Sequence, residues 1–290
     1  MNFTSGKDLL KLCQQYNKKI YEICIEREIE LTKKTKQEII QRMSYSLDIM
    51  KNSINKSLTE DIKSVGGLIG GEAKLVRNRL KTNKSVCGPL MTKAISAAMG
   101  VLEVNASMGL VVAAPTAGSC GILPAGIITV GEEFKISDEE MLNAIFTAAA
   151  IGIIITKNAT VAGAEGGCQA ETGSAAAMTA AGIVEMMGGT CEQALHAASM
   201  ALSNVMGLVC DPIAGLVEAP CQTRNSIGVA NALISAEMAL AGVKSVIPFD
   251  EVVEAMYKVG KSLPYELRET ALGGVAATCT GCEITKKIFG

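Results

Sequence analysis

This chain is rich in small and aliphatic residues and very poor in aromatic ones, and this strongly restricts the folds that it can adopt. Only 3% of the 290 residues are aromatic and none is tryptophan, whereas there are 29 glycines and 14 methionines. A core with so few rings must be filled by Ala, Ile, Val, Leu and Met, and small side chains let helices pack closely. Period-two alternation of β-branched residues is scarce. We therefore predict a mainly α fold, a compact Ala/Gly-rich helical domain.

The composition divides the chain into two parts. Residues 1–60 are charged and helix-forming, with apolar positions such as Leu9, Cys13 and Ile20 at helical spacing. A glycine-rich stretch at 64–71 then predicts a loop. We expect 1–60 to be a charged helical N-terminal segment and 61–290 to be the helical domain that carries the chemistry, together forming one continuous structural unit.

Helix boundaries are well marked in several places. Capping boxes beginning at Thr35, Ser137 and Thr190 predict three helix starts. The alanine-rich run 169–187 contains no proline, and Gly188-Gly189 supplies a C-terminal stop. These signals predict helices that begin at residues 36 and 191, and helices over residues 141–156 and 169–187.

Charge and composition exclude some partners and favour a compartment. The net charge is −2 and no dense run of Lys and Arg occurs, so nucleic acid and anionic membrane are not expected as partners. The uncharged stretch 104–131 is interrupted by Pro115, Pro124 and five glycines, which argues against a membrane span. No apolar signal region is seen at the N-terminus, and ten cysteines then indicate a reducing compartment, the cytoplasm.

Three of the ten cysteines lie in unusual surroundings. Cys168 follows two glycines, and Cys210 and Cys221 bracket a loop that contains two prolines and a glycine. Such backbone can bend around an inorganic group, and three thiolates on an iron–sulfur cluster would leave one iron open to a substrate. Cys168 also precedes a predicted helix, whose positive end would favour its thiolate.

Alternatives to this interpretation remain open on the residues alone. Spacings of 42 and 11 residues match no ferredoxin or zinc-finger pattern, and a free cysteine is most often core filling. Cys279-Thr280-Gly281-Cys282 is a C-x-x-C, a more familiar metal and redox spacing, although it stands close to the chain end. Cys120 lies in a loop too rich in special residues for ordinary packing, whereas Cys13, Cys24, Cys87 and Cys191 are interpreted as structural.

Three segments carry a resemblance to a known family. They are the Pro-Thr-Ala-Gly-Ser-Cys-Gly loop at 115–121, the Gly-Gly-Cys-Gln-Ala-Glu segment at 166–171, and residues 208–225. These resemble the α chain of iron–sulfur-dependent L-serine dehydratase, and the likeness runs nearly end to end. The resemblance places the family's three cluster cysteines on Cys168, Cys210 and Cys221.

The resemblance implies an enzyme, a lyase that uses a [4Fe-4S] cluster and no pyridoxal phosphate. It would remove water from L-serine and yield pyruvate and ammonia, a step of amino-acid catabolism that can supply gluconeogenesis. An open iron would act as Lewis acid for loss of the hydroxyl, which is a poor leaving group. Lys157 is a poor candidate for a pyridoxal phosphate Schiff base.

Site residues beyond the cysteines are assigned in the light of this resemblance. The loop at 115–121 suits an anion nest for the serine carboxylate. Polar residues among apolar neighbours need a partner or a use. The substrate-binding candidates are Asn105, Thr116, Ala117, Gly118, Ser119 and Arg224. The catalytic candidates are Thr116, Gly118, Ser119, Asn158 and Glu165. The general base is not identified; Glu165 and Glu171 flank Cys168, and His196 is expected to be an ordinary helix residue.

The resemblance also implies a partner. Single-chain relatives carry an additional N-terminal domain with a Ser-Ser-His-Thr type motif, which belongs to the β chain in two-chain forms and is missing here. We therefore expect a heterodimer with a separate β subunit, within a higher oligomer. Two other interpretations stay open: an iron–sulfur electron-transfer protein, and a zinc–thiolate structural scaffold.

Overall fold

The chain forms thirteen α-helices joined by loops and short helical turns. The computed structural model describes all 290 residues, and the only β-type pairing is an isolated bridge between Cys210 and Arg268. The prediction of a mainly α fold is therefore confirmed. The helices are α1 (Gly6–Tyr16), α2 (Ile20–Thr32), α3 (Lys36–Thr59), α4 (Glu72–Asn78), α5 (Gly88–Ala106), α6 (Ile122–Phe134), α7 (Asp138–Asn158), α8 (Gly163–Gly166), α9 (Ser174–Met186), α10 (Cys191–Asn204), α11 (Cys221–Leu240), α12 (Phe249–Ser262) and α13 (Cys279–Phe289).

The capping signals place helix starts correctly. The boxes at Thr35, Ser137 and Thr190 begin α3, α7 and α10, each with the reciprocal side-chain and backbone hydrogen bonds that define the motif. The helix predicted for 169–187 differs at its start. Residues Gln169–Gly173 form a wider π-helical turn, and the regular helix α9 begins only at Ser174.

Helix α9 is the centre of the molecule. Its residues from Ser174 to Glu185 are all buried, and α6, α7, α10 and α11 pack around it. Alanine and glycine allow this close packing. A methyl group on Gly182 would lie 2.8 Å from the carbonyl oxygen of Ala144 in α7, so this contact requires glycine.

The N-terminal helices share this core. Leu9 of α1, Ile23 of α2 and Leu47 of α3 belong to the same cluster of 56 buried residues as α9. Two carboxylates fasten these helices: Asp250 of α12 accepts from the amides of Gly6 and Lys7, and the buried Glu185 of α9 accepts from the amide of Ile20. Residues 1–60 therefore pack as part of one hydrophobic core.

One helix is long and apolar enough to cross a membrane. It is α7, and 67% of its apolar window is buried inside the protein, as expected for a core helix. The uncharged stretch 104–131, considered at the sequence level, is divided between the end of α5, a loop and α6.

Candidate functional site

Three buried cysteines come together from separate parts of the chain. Cys168 precedes the π-helical turn before α9, Cys210 lies in the loop after α10, and Cys221 is the first residue of α11. All three are at most 8% exposed. Hydrogen bonds join the segments that carry them, from the Gln169 amide to the Leu208 carbonyl at 2.9 Å and from Arg224 Nη1 to the Val209 carbonyl at 2.9 Å. In agreement with this proximity, Cys168 contributes to the raised pKa of both Cys210 and Cys221.

Burial sets the protonation of these thiols. It raises the pKa of Cys221 to about 12, and it raises the pKa of Cys210 further, with the Glu171 carboxylate adding to the shift. Burial also raises the pKa of Cys168, although Thr172 and Arg224 oppose this. Burial outweighs the local donors, so the net shift of the Cys168 pKa is upward, opposite to the direction in which the helix end was expected to act.

A buried ion pair adjoins the thiols. Arg224 Nη2 donates to Asp211 Oδ1 at 2.5 Å and Arg224 Nη1 to the Val209 carbonyl at 2.9 Å. Burial lowers the pKa of Arg224, but the neighbouring Cys168 and Asp211 more than offset this and raise it overall. Arg224 is thus a fixed positive charge beside the cysteines.

Asp211 also holds a C-terminal segment, residues 265–277, against the loop that contains Cys210. Asp211 Oδ2 accepts from the Val275 amide at 2.7 Å. The Cys210 amide donates to the Leu267 carbonyl, and the Glu269 amide donates to the Cys210 carbonyl. A carboxylate adjacent to one cysteine therefore orders both the local cation and a segment more than 50 residues away.

The loop at 115–121 meets the cysteines through Glu171. Thr116 Oγ1 donates to Glu171 Oε1 at 2.7 Å, and the Cys210 thiol lies 3.9 Å from Glu171 Oε2. A methyl group on Gly163 would lie 2.7 Å from this carboxylate and 2.9 Å from the Cys210 sulfur, so only glycine fits at position 163. Burial raises the pKa of Glu171, although the bond from Thr116 opposes this.

A buried asparagine joins this loop to the helix that carries Cys221. Asn225 accepts from the Gly121 amide at 3.0 Å and donates to the carbonyls of Gly118 and Cys221. Ser119 lies buried within hydrogen-bond distance of Thr116, at 3.1 Å, and Asn105 donates to the Ala117 carbonyl at 3.4 Å. The structure therefore brings together Asn105, Thr116, Ala117, Gly118, Ser119, Arg224 and the three cysteines.

Two predicted catalytic residues are placed differently. Asn158 is exposed at the end of α7, and its amide donates to the carbonyls of Thr4 and Ile154. Glu165 is an exposed residue of the short helix α8. Neither makes a hydrogen bond to the cysteines or to the 115–121 loop, so their catalytic roles remain predictions.

Cys120, the C-x-x-C cysteines and the histidine occupy different environments. Cys120 is fully buried in the hydrophobic core, where burial raises its pKa to about 12. Cys279 and Cys282 are exposed near the start of α13. His196 is half-buried in α10, 3.6 Å from Glu192.

Three residues that organise the site were not singled out from the sequence for that role. Asp211 follows Cys210, Glu218 lies between Cys210 and Cys221, and Asn225 follows Cys221 by one helical turn. All three are at most 3% exposed. Asp211 and Glu218 stand between apolar neighbours in the sequence, which was the available signal, but it does not say which distant backbone groups they bind. Asn225 lies between Arg224 and Ser226 and gave no such signal.

Comparisons with known proteins agree with one another. The family model described as "Serine dehydratase alpha chain" matches residues 15–276. The chain is 48% identical over 288 residues to a probable L-serine dehydratase alpha chain of Bacillus subtilis, covering 99% of this chain and 96% of that protein. It is 49% identical over 282 residues to an L-serine dehydratase alpha chain of Peptoniphilus asaccharolyticus, covering 97% of each. L-serine dehydratase 2 of Escherichia coli is 33% identical over 97% of this chain, which spans 63% of that longer protein.

We predict that Asp211→Ala destabilises the protein by about 3 kcal/mol or more, because Arg224 would stay buried without its counter-charge. Urea unfolding of the metal-free chain measures this, and amide exchange should increase across residues 265–277. Glu254→Ala is the control, since Glu254 forms an exposed pair with Lys258 and should cost less than about 1 kcal/mol. Equal losses in the two variants would contradict the role assigned to Asp211.

Proposed function

Because the chain belongs to the serine dehydratase alpha chain family, we propose that it is the α subunit of an L-serine dehydratase with a [4Fe-4S] cluster. In this reaction L-serine loses water across its Cα–Cβ bond. The aminoacrylate product tautomerises to an imine, which water hydrolyses to pyruvate and ammonia. The observation that carries the proposal is the convergence of three buried thiols beside the loop at 115–121.

The residues present fit such a cluster. Cys168, Cys210 and Cys221 are all buried and would hold it through three thiolates. When bound, the cluster supplies a Lewis-acidic iron that can accept the serine hydroxyl as it leaves. Arg224 provides a positive charge beside the thiols that would offset their negative charge.

The chain's own residues would bind and orient the substrate carboxylate. The Ser119 hydroxyl and the amides of Ala117 and Gly118 lie in one loop, whereas Thr116 donates its hydroxyl proton to Glu171 and so helps to hold that loop in place. Asn225 and Asn105 hold this loop by its backbone, so its donors are oriented before substrate arrives. Arg224 already uses two N–H groups on Asp211 and Val209, which assigns it more to the thiols than to serine.

The two alternative functions are less well supported. Electron transfer would call for a fourth thiolate and has no use for an anion-binding loop. A structural zinc ion takes four protein ligands, whereas three thiols come together here with an arginine beside them. The relatives are named as serine dehydratases, which favours the enzyme.

Changing Cys168, Cys210 or Cys221 singly to Ser should abolish serine turnover and the visible absorption of the cluster, because an oxygen ligand suits iron–sulfur assembly poorly. Anaerobic reconstitution followed by iron analysis and a pyruvate assay measures both. Changes at Cys13 or Cys191 should retain both properties, because these cysteines lie in α1 and at the start of α10. A fully active Cys210→Ser protein would refute the ligand assignment.

Air should inactivate the protein, because a cluster with three protein ligands can lose its open iron on oxidation. Activity should return to a large extent on addition of iron(II) and thiol. The control is the same preparation kept under argon for the same time. Unchanged activity and iron content after hours in air would argue against a substrate-binding cluster.

The names of the relatives, alpha chains, support a separate β subunit as partner. We predict that the reconstituted chain alone turns over serine poorly. Its β subunit should raise the rate at least about tenfold, which corresponds to ~1.4 kcal/mol of transition-state stabilisation. Pyruvate formation with and without the β subunit measures this, with cluster content equal in both samples. A full rate from the lone chain would contradict the two-subunit proposal.

A further inference from the structure

Two carboxyl groups, one buried and one half-buried, meet at Gln222, the residue after Cys221. Glu103, in the last turns of α5, is fully buried, and Glu72 is the first residue of α4. One side-chain nitrogen, Gln222 Nε2, donates to Glu103 Oε1 at 2.8 Å and to Glu72 Oε2 at 3.2 Å. The two carboxyls therefore face each other across a single amide group.

One oxygen of this pair has no hydrogen-bond donor. Glu103 Oε1 also accepts from the Ala73 amide at 2.9 Å, but Glu103 Oε2 is buried without a donor. Glu72 Oε2 is well supplied, since the Gly70 amide donates to it at 2.7 Å. A buried carboxylate oxygen without a donor is costly, whereas a protonated carboxyl oxygen is itself a donor and needs only an acceptor.

No Lys or Arg forms a salt bridge with either carboxyl. On α4, Lys74 pairs with Asp61, and the charge acting on the half-buried Arg77 is that of Glu132. On α11, Arg224 is held by Asp211. Two adjacent negative charges in a buried site repel each other, so one of the two carboxyls is expected to carry a proton.

We propose that Glu103 is a neutral carboxylic acid whose Oε2–H donates to Glu72, and that this pair is a positioning device for the Cys221 end of α11. The directions of the pKa shifts agree. Burial and the Glu72 carboxylate raise the pKa of Glu103. Burial also acts to raise the pKa of Glu72, but the donors Gly70, Gln222 and Glu103 together outweigh it and lower that pKa.

The position of Gln222 gives the pair its importance. Gln222 follows Cys221 directly and is only 4% exposed. Through Gln222 the pair ties the first turn of α11 to α5, and through the amides of Gly70 and Ala73 it ties the glycine-rich loop and the start of α4. The role at Cys221 rests on the proposed cluster, whereas the shared proton does not.

Glu103→Gln tests the proposal, because its amide keeps one acceptor and one donor in the same places as a protonated carboxyl. We expect this variant to keep cluster content and serine kcat within about twofold of the parent, while Glu103→Ala loses most of its cluster. Gln222→Leu should also lose cluster, since α11 loses its link to both carboxyls. If Glu103→Gln loses as much cluster as Glu103→Ala, the positioning role is wrong.

Infrared spectra of the metal-free chain test the proton directly, whether or not the chain binds a cluster or uses serine. The difference spectrum of parent minus Glu103→Gln at neutral pH should contain one C=O band of a carboxylic acid, which shifts in D2O. The control, Glu132→Gln at an exposed carboxylate, should lack that band. A carboxylate band in place of the acid band for Glu103 would overturn the proposal even if the enzymatic function holds.

Discussion

Close contact between helices made of alanine and glycine is the constraint on which this structure depends. Around α9 the helices approach so closely that Gly182 cannot carry a methyl group, and bulky aromatic residues would not fit between them. This packing leaves little freedom for the ends of the helices. The loops that precede α6, α9 and α11 are thereby held near one another. They supply the cysteines and the hydroxyls of the candidate site.

Buried carboxylates then fix these loops, and they do so mainly with backbone amides. Glu218 accepts from Ser64 and from the amides of Gly66 and Leu68, so it holds the glycine-rich loop against the segment between Cys210 and Cys221. Asp211 holds the C-terminal segment in the same way through Val275. A buried charge is tolerated when hydrogen bonds satisfy its oxygens, and each such residue here replaces water with donors from a distant part of the chain.

Local features of the fold could be predicted from the sequence, whereas long-range polar contacts could not. Capping boxes at Thr35, Ser137 and Thr190 depend on residues three positions apart, and all three begin helices as predicted. The π-helical turn after Cys168 was missed because nothing in the alanine-rich sequence distinguishes this turn from the first turn of an ordinary helix. Asn158 is a polar residue among apolar neighbours in the sequence, and its amide donates to the carbonyls of Ile154 and Thr4. Thr4 lies 154 positions away, so this contact could not be predicted from the sequence. The thiol pKa values followed burial, which depends on the whole fold, rather than the local helix end.

The N-terminal helices support the site from its far side. Glu185, which binds the start of α2, lies at the opposite end of α9 from Cys168. Asp250 lies in the first turn of α12 and binds the start of α1. The other half of α12 contacts the segment after Cys168, where Gln169 donates to the Met256 carbonyl. Helices α9 and α12 are thus each anchored at one end by residues 1–60 and contact the site with the other. A change in α1 or α2 should therefore act on the site through the stability of these two helices, whereas a change in the 115–121 or 210–221 loops alters the site directly.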